Sequence, residues 1–534
     1  MQETHPPRRP DSIDIAVLRR EAYPGIMQES RPNRRIARGP RRPSLLDRAL
    51  RPFTDVQAGE APTALLLALN VFLLLTAYYF IKPIREALIL GESGAEVKSY
   101  ASAVQAVVLL GAVPLYARLA GRWPRRTLIN RVTVFFVGCL VVFFALGTAG
   151  VRLGVPFFLW AGIFNLMIVA QFWAFANDVY TNDEGERLFP LVQFGASVGA
   201  VLGSVAVGRL IEPLGIYPPM LLAAAILLLS LAVTTIVDRR ERRRTEAQRA
   251  PGFTTLTHPA ATGEFRLETG EYTNLREALK EALARAERGE EDPAGEGRAE
   301  VAPKPGPGGT WVGRGAFELV FRTRYLLLIA VLVLLVNWVN TTGEYILGRL
   351  VEETAVGMVA AGETQLSVGE YIGRFYSDFF SVVNAVSLLV QLFLVSRVVK
   401  YLGVRAAIMI LPVIALGGYA LLAFFPLLSV VRWAKTAENS TDYSLQNTVR
   451  NILFLPLTRE QKYKAKQVTD AFFWRAGDVL SAGVVFVGTT WLSLQTSHFA
   501  LLNLVLVAAW LLIAWRVGTR YRRLVRTGRP PVTR

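Results

Sequence analysis

The stretch Thr76–Leu90, TAYYFIKPIREALIL, carries an apolar run of membrane-spanning character straight into Lys82, Arg85 and Glu86. A charged side chain at the centre of a bilayer costs at least about 2.5–3.5 kcal/mol, so three of them in one patch demand partners, an interface or a watery pathway. Positions three and four apart share a helix face, which groups Lys82, Arg85 and Glu86 and spaces Lys82 and Glu86 for an ion pair. That pairing leaves Arg85 over as an anion ligand. Pro83 lies between them, removes a backbone donor and predicts a kinked or broken helix. The competing reading puts all three at the membrane interface, with their alkyl stems snorkelling.

The rest of the chain is built alike. Of its 534 residues 52% are hydrophobic, more apolar surface than two or three soluble domains normally hide. Runs of about 20 apolar residues, enough to cross roughly 30 Å of hydrocarbon, fall at 62–83, 99–120, 128–149, 153–177, 189–211 and 217–237. After a polar interval they recur at 323–343, 374–398, 404–425, 426–446, 468–493 and 498–517. Arg118 and Arg126 close the second run eight residues apart, and Arg397 and Arg405 close the eighth at the same spacing. Six runs plus six, with that internal echo, predict an all-α integral membrane protein of twelve transmembrane helices in two six-helix bundles, an architecture resembling that of major facilitator transporters. The first run starts near Pro62 with no small-residue cleavage site behind it and is expected to stay as a span.

The formal net charge is +17, but Lys and Arg concentrate in the tails and between the apolar runs. With both termini cytoplasmic, the Arg-rich N-terminus, Arg118–Arg126, Asp238–Arg244, Arg459–Lys466 and Arg520–Arg529 all fall inside, as the positive-inside rule asks of a multi-pass protein in the inner (plasma) membrane. The expected organisation is a basic arm (1–58), a first bundle (59–237), a linker with an amphipathic helix (238–322), a second bundle (323–518) and a basic tail (519–534). The arm and tail suit anionic lipid headgroups. No recognition module accompanies them, so nucleic acid is not an expected partner. Cys139 is the only cysteine, and His5, His258 and His498 are scattered, which leaves no thiolate or zinc-type metal site. A Walker-type phosphate loop is absent, which argues against an ATP-driven pump, and no cofactor is expected.

Other charged and polar groups interrupt the spans. Asn177 and Asp178 end the fourth, and Asn340, Thr341, Thr342 and Glu344 end the seventh, where Gly343 is expected to loosen the helix. The densest set runs from Trp433 to Leu480: Lys435, Glu438, Asp442, Tyr443 and Arg450, then Lys462, Lys464 and Lys466, then Asp470, Arg475 and Asp478. Asp178 suits a cation, a proton, a basic partner or a cap. Arg475 and Asp478 are one turn apart and suited to pair. Some of the lysines read as membrane anchors. A basic surplus along a pathway suits an anion, because desolvated phosphate oxygens need Arg or Lys donors. Tyr78, Tyr79, Trp173 and Tyr443 are candidates for stacking on a base or for ordinary helix packing.

Three of these stretches resemble the ATP:ADP antiporter family of nucleotide transporters, which is related to the major facilitators. They are Lys82–Leu88 followed by Gly94–Val97; WAFANDVYTNDEGERLFPLVQFGAS, with Asn177, Glu184, Arg187, Pro190, Gly195 and Ala196; and YSLQNTVRNILFLPLTREQKYKAKQVTD, with Tyr443, Ser444, Arg450, Pro456, Glu460, Lys462, Lys464, Lys466 and Asp470. The likeness spans roughly 62–500. Asn447 and Asn451 stand where the family pattern carries acids. The resemblance implies nucleotide exchange by alternating access, with Arg85, Glu184, Glu344 and Lys466 nearest to the residues that bind or couple. The full candidate set is Lys82, Arg85, Glu86, Asn177, Asp178, Glu184, Glu344, Tyr443, Arg450, Lys462, Lys464, Lys466, Asp470 and Arg475. The alternatives are proton-coupled transport of another anion, with Asp178, Glu344 or Asp470 carrying the proton, and a non-transporting scaffold or sensor. Acids spread over helix ends, with no nucleophile or metal cluster among them, do not make an enzyme site.

Overall fold

A computed structural model describes residues 59–249 and 314–527, with isolated positions Leu46, Thr54, Val56 and Gln57. The basic arm, most of the interval between the bundles, and residues 528–534 lie outside the described residues. The chain divides into Met1–Pro62 and Thr63–Arg534. In the first unit, the backbone N–H of Gln57 donates to Glu60 Oε2 (2.9 Å).

The second unit is helical throughout its described residues. α1 (Ala61–Arg122), α2 (Arg125–Thr148), α3 (Gly154–Val179), α4 (Asn182–Leu214) and α5 (Pro218–Arg249) form the first bundle. A short amphipathic α6 (Arg314–Arg322) leads into α7 (Arg324–Ala360), α8 (Val368–Phe393) and α9 (Val395–Phe424). α10 (Leu428–Thr441) runs through a π turn (Asp442–Gln446) into α11 (Asn447–Ile452). α12 (Arg459–Val468), α13 (Trp474–Phe486) and two further π turns make another continuous rod, and α14 (Thr496–Thr527) closes the chain. Ten helices among the described residues are long and apolar enough to cross a membrane. Large apolar side chains such as Val107, Phe135, Leu229 and Val505 point outward, which is how a protein presents itself to lipid rather than water.

At 62 residues α1 is about 90 Å of helix, far too long for one crossing. It turns back at Gly94, whose φ of 85° only glycine adopts without strain. The break is therefore at Gly94 and not at Pro83, where the helix continues, because a missing donor alone does not force a turn when neighbouring helices pack around it. The twelve-run pattern differs from the ten helices in two places. α1 holds two limbs, and α10 with α11 is too charged to register as an apolar span.

Within each bundle, helices approach to backbone contact. Gly195, Gly199 and Gly203 lie on one face of α4, where added Cβ atoms would stand 2.5, 2.4 and 2.8 Å from the carbonyl oxygens of Ala68, Phe72 and Thr76 on α1. In the second bundle Gly477 of α13 meets Trp338 N and Leu334 O of α7 in the same manner, at 2.9 and 3.0 Å. Small residues let apolar helices associate by dispersion where no hydrophobic effect drives them together. One arginine of each echoed pair contacts the last helix of its bundle. Arg126 of α2 reaches Asp238 of α5 (3.5 Å), and Arg405 of α9 lies over Trp515 of α14 (5.7 Å) and against Gly518.

The two bundles meet at the end opposite the start of α1, termed the far end. A Cβ on Gly91 would lie 3.2 Å from Gly369 Cα, and one on Gly348 3.3 Å from Leu90. Glu352 of α7 accepts the Ala95 backbone N–H (2.8 Å) at the start of the second limb of α1. Arg374 of α8 donates to Glu212 of α4 (2.6 Å), and Ser377 donates to the Ser204 carbonyl.

Two outcomes follow from this packing. Gly199→Ala is expected to cost about 1–3 kcal/mol by overpacking, lowering the unfolding midpoint in detergent, whereas Gly111→Ala, with nothing within 4 Å of the new methyl, leaves it unchanged. Glu352→Ala removes a charge-assisted bond of about 1.5–3 kcal/mol and should raise, by about tenfold, maleimide labelling of a Ser99→Cys reporter from the far side; an unchanged rate would show that Glu352 does not hold the far end shut.

Candidate functional site

Lys82 lies nine residues before Gly91, about 14 Å of helix inward from the far-end contacts. It is 8% exposed. Its ammonium sits 3.8 Å from the centre of the Phe380 ring, 5.3 Å from Tyr79 and 5.7 Å from Tyr443, and donates weakly to Tyr443 Oη (3.4 Å). Phe380 belongs to α8 and Tyr443 to the π turn, so the second bundle supplies most of the box. A π turn re-aims side chains relative to an α-helix, as functional segments often require. Tyr79 Oη in turn donates to Asn384 Oδ1 (3.0 Å).

Glu86 takes its partners elsewhere. Lys98, on the second limb of α1, reaches Glu86 Oε2 at 2.7 Å, and the neighbouring Arg85 closes on Oε1. The expected Lys82–Glu86 pair does not form, because the turn at Gly94 folds a second cation down onto the carboxylate and leaves Lys82 to the aromatic rings. Among the described residues no carboxylate lies within ion-pair distance of Lys82. Arg85 lies 4.8 Å over Phe158, and Lys98 5.2 Å over Tyr376. Three cations thus stand against one carboxylate on the first bundle's wall.

The second bundle's wall has the opposite balance. Lys435 of α10, fully buried, lies between Glu438 (3.3 Å) and Glu344 of α7 (3.7 Å), and donates to Asn340 Oδ1 (2.8 Å). Asn439 donates to Glu344 (3.1 Å), and Tyr419 Oη to Glu438 (3.2 Å). A Cβ at Gly343 would fall 2.0 Å from Tyr419 Oη. Gly343 therefore admits α9 and α10 against α7; it does not loosen the helix, which continues unbroken to Ala360. One turn toward the start of α7, Asp478 accepts from Asn337 (2.7 Å) and Thr341 (2.9 Å) and pairs with Arg475 (3.3 Å). That carboxylate is fully engaged in joining α13 to α7.

The remaining candidates lie toward the opposite, near end. Asn177 is exposed at the end of α3, and Asp178 pairs with Arg125 of α2. Together with Arg126, Asp238, Glu241 and Arg242 these charges surround a pocket of about 500 Å3 inside the first bundle. Glu184 forms a capping box with Thr181 at the start of α4. Arg450 lies over Trp474 (4.9 Å) and donates to Asn447 (3.4 Å), and Lys466 donates to Asn451 (2.8 Å). Both basic groups thus hold neutral amides at the two positions where the resembled pattern has acids. Lys462 and Lys464 lie beside Lys466 on α12, and Asp470 is exposed in the π turn Thr469–Phe473.

Lys82, Arg85, Glu86, Tyr443 and Glu344 are thus drawn to the region where the bundles face each other, whereas Asn177, Asp178, Glu184, Arg450, the three lysines and Asp470 are not. Lys98, Phe380, Tyr376 and Asn384 belong to the centre but went unread in sequence. Only Lys98 carries a signal there, a lysine at the head of an apolar run. Tyr376 Oη and Asn384 Nδ2 are buried without a hydrogen-bond partner among the described residues, an arrangement that asks for an acceptor.

A sequence model of the Major Facilitator Superfamily matches residues 61–437. No curated protein matches the chain. Among solved structures, a POT family transporter in complex with 5-aminolevulinic acid superposes at a TM-score of 0.52 and 12% identity, covering 86% of this chain and 96% of that one. The nucleoside transporter NupG superposes at 0.51 and 11% identity, covering 87% and 99%. With two lipid-facing bundles around buried, unequally charged walls and a family match over most of its length, the chain belongs to the Major Facilitator Superfamily and is a multi-pass secondary membrane transporter of that type.

Proposed function

We propose that this transporter exchanges nucleotides of the ATP/ADP class by alternating access, with twelve spans and both termini on the cytoplasmic side of the cell membrane. The observation that carries the reading is Lys82, a buried cation held by three aromatic rings and by no carboxylate among the described residues. Burying an unpaired charge is costly unless a counter-charge arrives, and a phosphate oxygen supplies one. Tyr376 and Asn384 offer buried donors nearby, and Tyr79 and Tyr443 offer ring faces on which a base can lie. Arg450 and Lys466, paired with amides rather than acids, keep their charge available along the route from the near end. The resemblance of Lys82–Leu88, Trp173–Ser197 and Tyr443–Asp470 to the ATP:ADP antiporters points the same way.

With the far end closed, the substrate reaches Lys82 from the near end. Anion binding to the positive wall then relieves the repulsion among Lys82, Arg85 and Lys98. Rocking of the bundles, each welded internally by glycine contacts, would break the Gly91–Gly369 and Glu352–Ala95 contacts and open the other side.

In proteoliposomes, uptake of radiolabelled ATP is expected to require nucleotide trapped inside. Lys82→Gln should lower it by about 10- to 100-fold, the loss of one or two charge-assisted contacts. Uptake that persists in the variant, or that never depends on internal nucleotide in well-folded protein, refutes the assignment.

The two carboxylates around Lys435 favour a second reading, proton-coupled transport of another anion, because Glu344 and Glu438 together exceed the charge of their shared lysine. Under that reading an imposed pH gradient alone drives anion uptake into empty liposomes, and Glu344→Gln abolishes the drive; indifference to the gradient removes it.

A further inference from the structure

Two pockets at the near end differ in the charges that line them. In the first bundle Arg125, Arg126 and Arg242 face Asp178, Asp238 and Glu241 across about 500 Å3, so the basic groups are neutralised from within. In the second bundle a groove of about 410 Å3 runs between the start of α7 and the end of α14. Arg516, Arg520 and Arg523 line it at four- and three-residue spacing, one stripe of α14, and Arg324 opens α7 opposite them. No described carboxylate lines this groove.

Apart from Thr519, its remaining lining is apolar or aromatic. Leu327 and Leu328, one turn into α7, form part of the floor, and Trp515, 47% exposed, stands at the edge beside Arg516. A tryptophan over an arginine stripe where spans emerge marks the headgroup level of a bilayer. A soluble anion would use the arginines and leave the leucines uncovered. A phospholipid uses both, its phosphate meeting the guanidinium forks and its glycerol and first methylenes lying on Leu327 and Leu328.

We propose that the groove formed by Arg324, Arg516, Arg520 and Arg523 over Leu327 and Leu328 is a binding site for the headgroup of an anionic phospholipid in the near-end leaflet. It is built from folded helices, not from the terminal arm, and is independent of which substrate crosses the centre. Occupancy ties the end of α14 to the start of α7 and so fastens the second bundle at its near end.

The test uses the full chain purified in neutral detergent. Its unfolding midpoint is measured with added phosphatidylglycerol, phosphatidylcholine or inorganic phosphate, and retained lipid is counted by native mass spectrometry. Phosphatidylglycerol alone is expected to raise the midpoint and to remain bound. Arg516→Gln with Arg523→Gln should weaken retention by about 30-fold, while Arg397→Gln with Lys400→Gln, which removes two exposed cations elsewhere at the same end, should leave it intact. Leu328→Trp fills the floor without changing charge and should also reduce retention. An equal stabilisation by inorganic phosphate would reassign the groove to a soluble anion and overturn the proposal. So would equal loss in the control pair, which would mean diffuse surface attraction, or undiminished retention in both groove variants.

Discussion

Glu86 is the charge around which the centre is arranged. A carboxylate placed in hydrocarbon takes whatever cation geometry brings nearest, and the turn at Gly94 brings Lys98. With Arg85 already beside it, Glu86 is over-supplied, and Lys82, one turn earlier, passes to the rings of the other bundle. That single allocation makes the wall of the first bundle net positive and commits Phe380 and Tyr443 to face it. The second bundle solves its own problem in reverse, with one lysine shared by two carboxylates. The walls therefore attract one another without a direct ion pair between Lys82 and Glu344, which suits surfaces that must separate and rejoin.

Rigidity and mobility are divided along the same line. Inside each bundle contact is backbone to backbone, through Gly195, Gly199 and Gly203 against α1 and Gly477 against α7, and such contacts leave little room to slide. Between bundles the far-end contacts include the Gly91–Gly369 approach, Gly348 against Leu90, the Ser377–Ser204 hydrogen bond, Glu352 on the Ala95 N–H and the Arg374–Glu212 ion pair. Each is a few kcal/mol at most. Polar contacts of this size are ones that rocking of the bundles would have to break and remake.

Much of this was legible in the sequence. Runs of apolar residues located nearly every crossing, since hydrocarbon thickness fixes their length; of the arginine echo at 118/126 and 397/405, Arg126 and Arg405 each reach the last helix of their bundle, one through an ion pair and the other over a ring. Lys82, Arg85, Glu86, Glu344 and Tyr443 stood out because a charge or hydroxyl within an apolar run is costly without a partner. The pairing among them was not legible. Spacing along one helix favoured Lys82 with Glu86, whereas the partner actually taken, Lys98, depends on a chain reversal at Gly94 that one-dimensional periodicity cannot express. Gly343 misled for a related reason. A glycine in a helix reads as weakness until the tyrosine that occupies its missing side chain is in view. Phe380 and Asn384 gave no signal, being ordinary residues made particular only by what faces them.

The π turn at Asp442–Gln446 sets the register of the tenth crossing. Upstream of it, Lys435 and Glu438 point into their own bundle, toward Glu344 and Tyr419; within it, Tyr443 points across to Lys82 of the other bundle. One residue of α-helix corresponds to about 100° of rotation. Deleting a single residue from the turn would restore a regular helix and yet swing one of these two sets off its partners. The extra residue is thus what allows one rod to serve both walls at once, and the length of this segment is constrained as tightly as its composition.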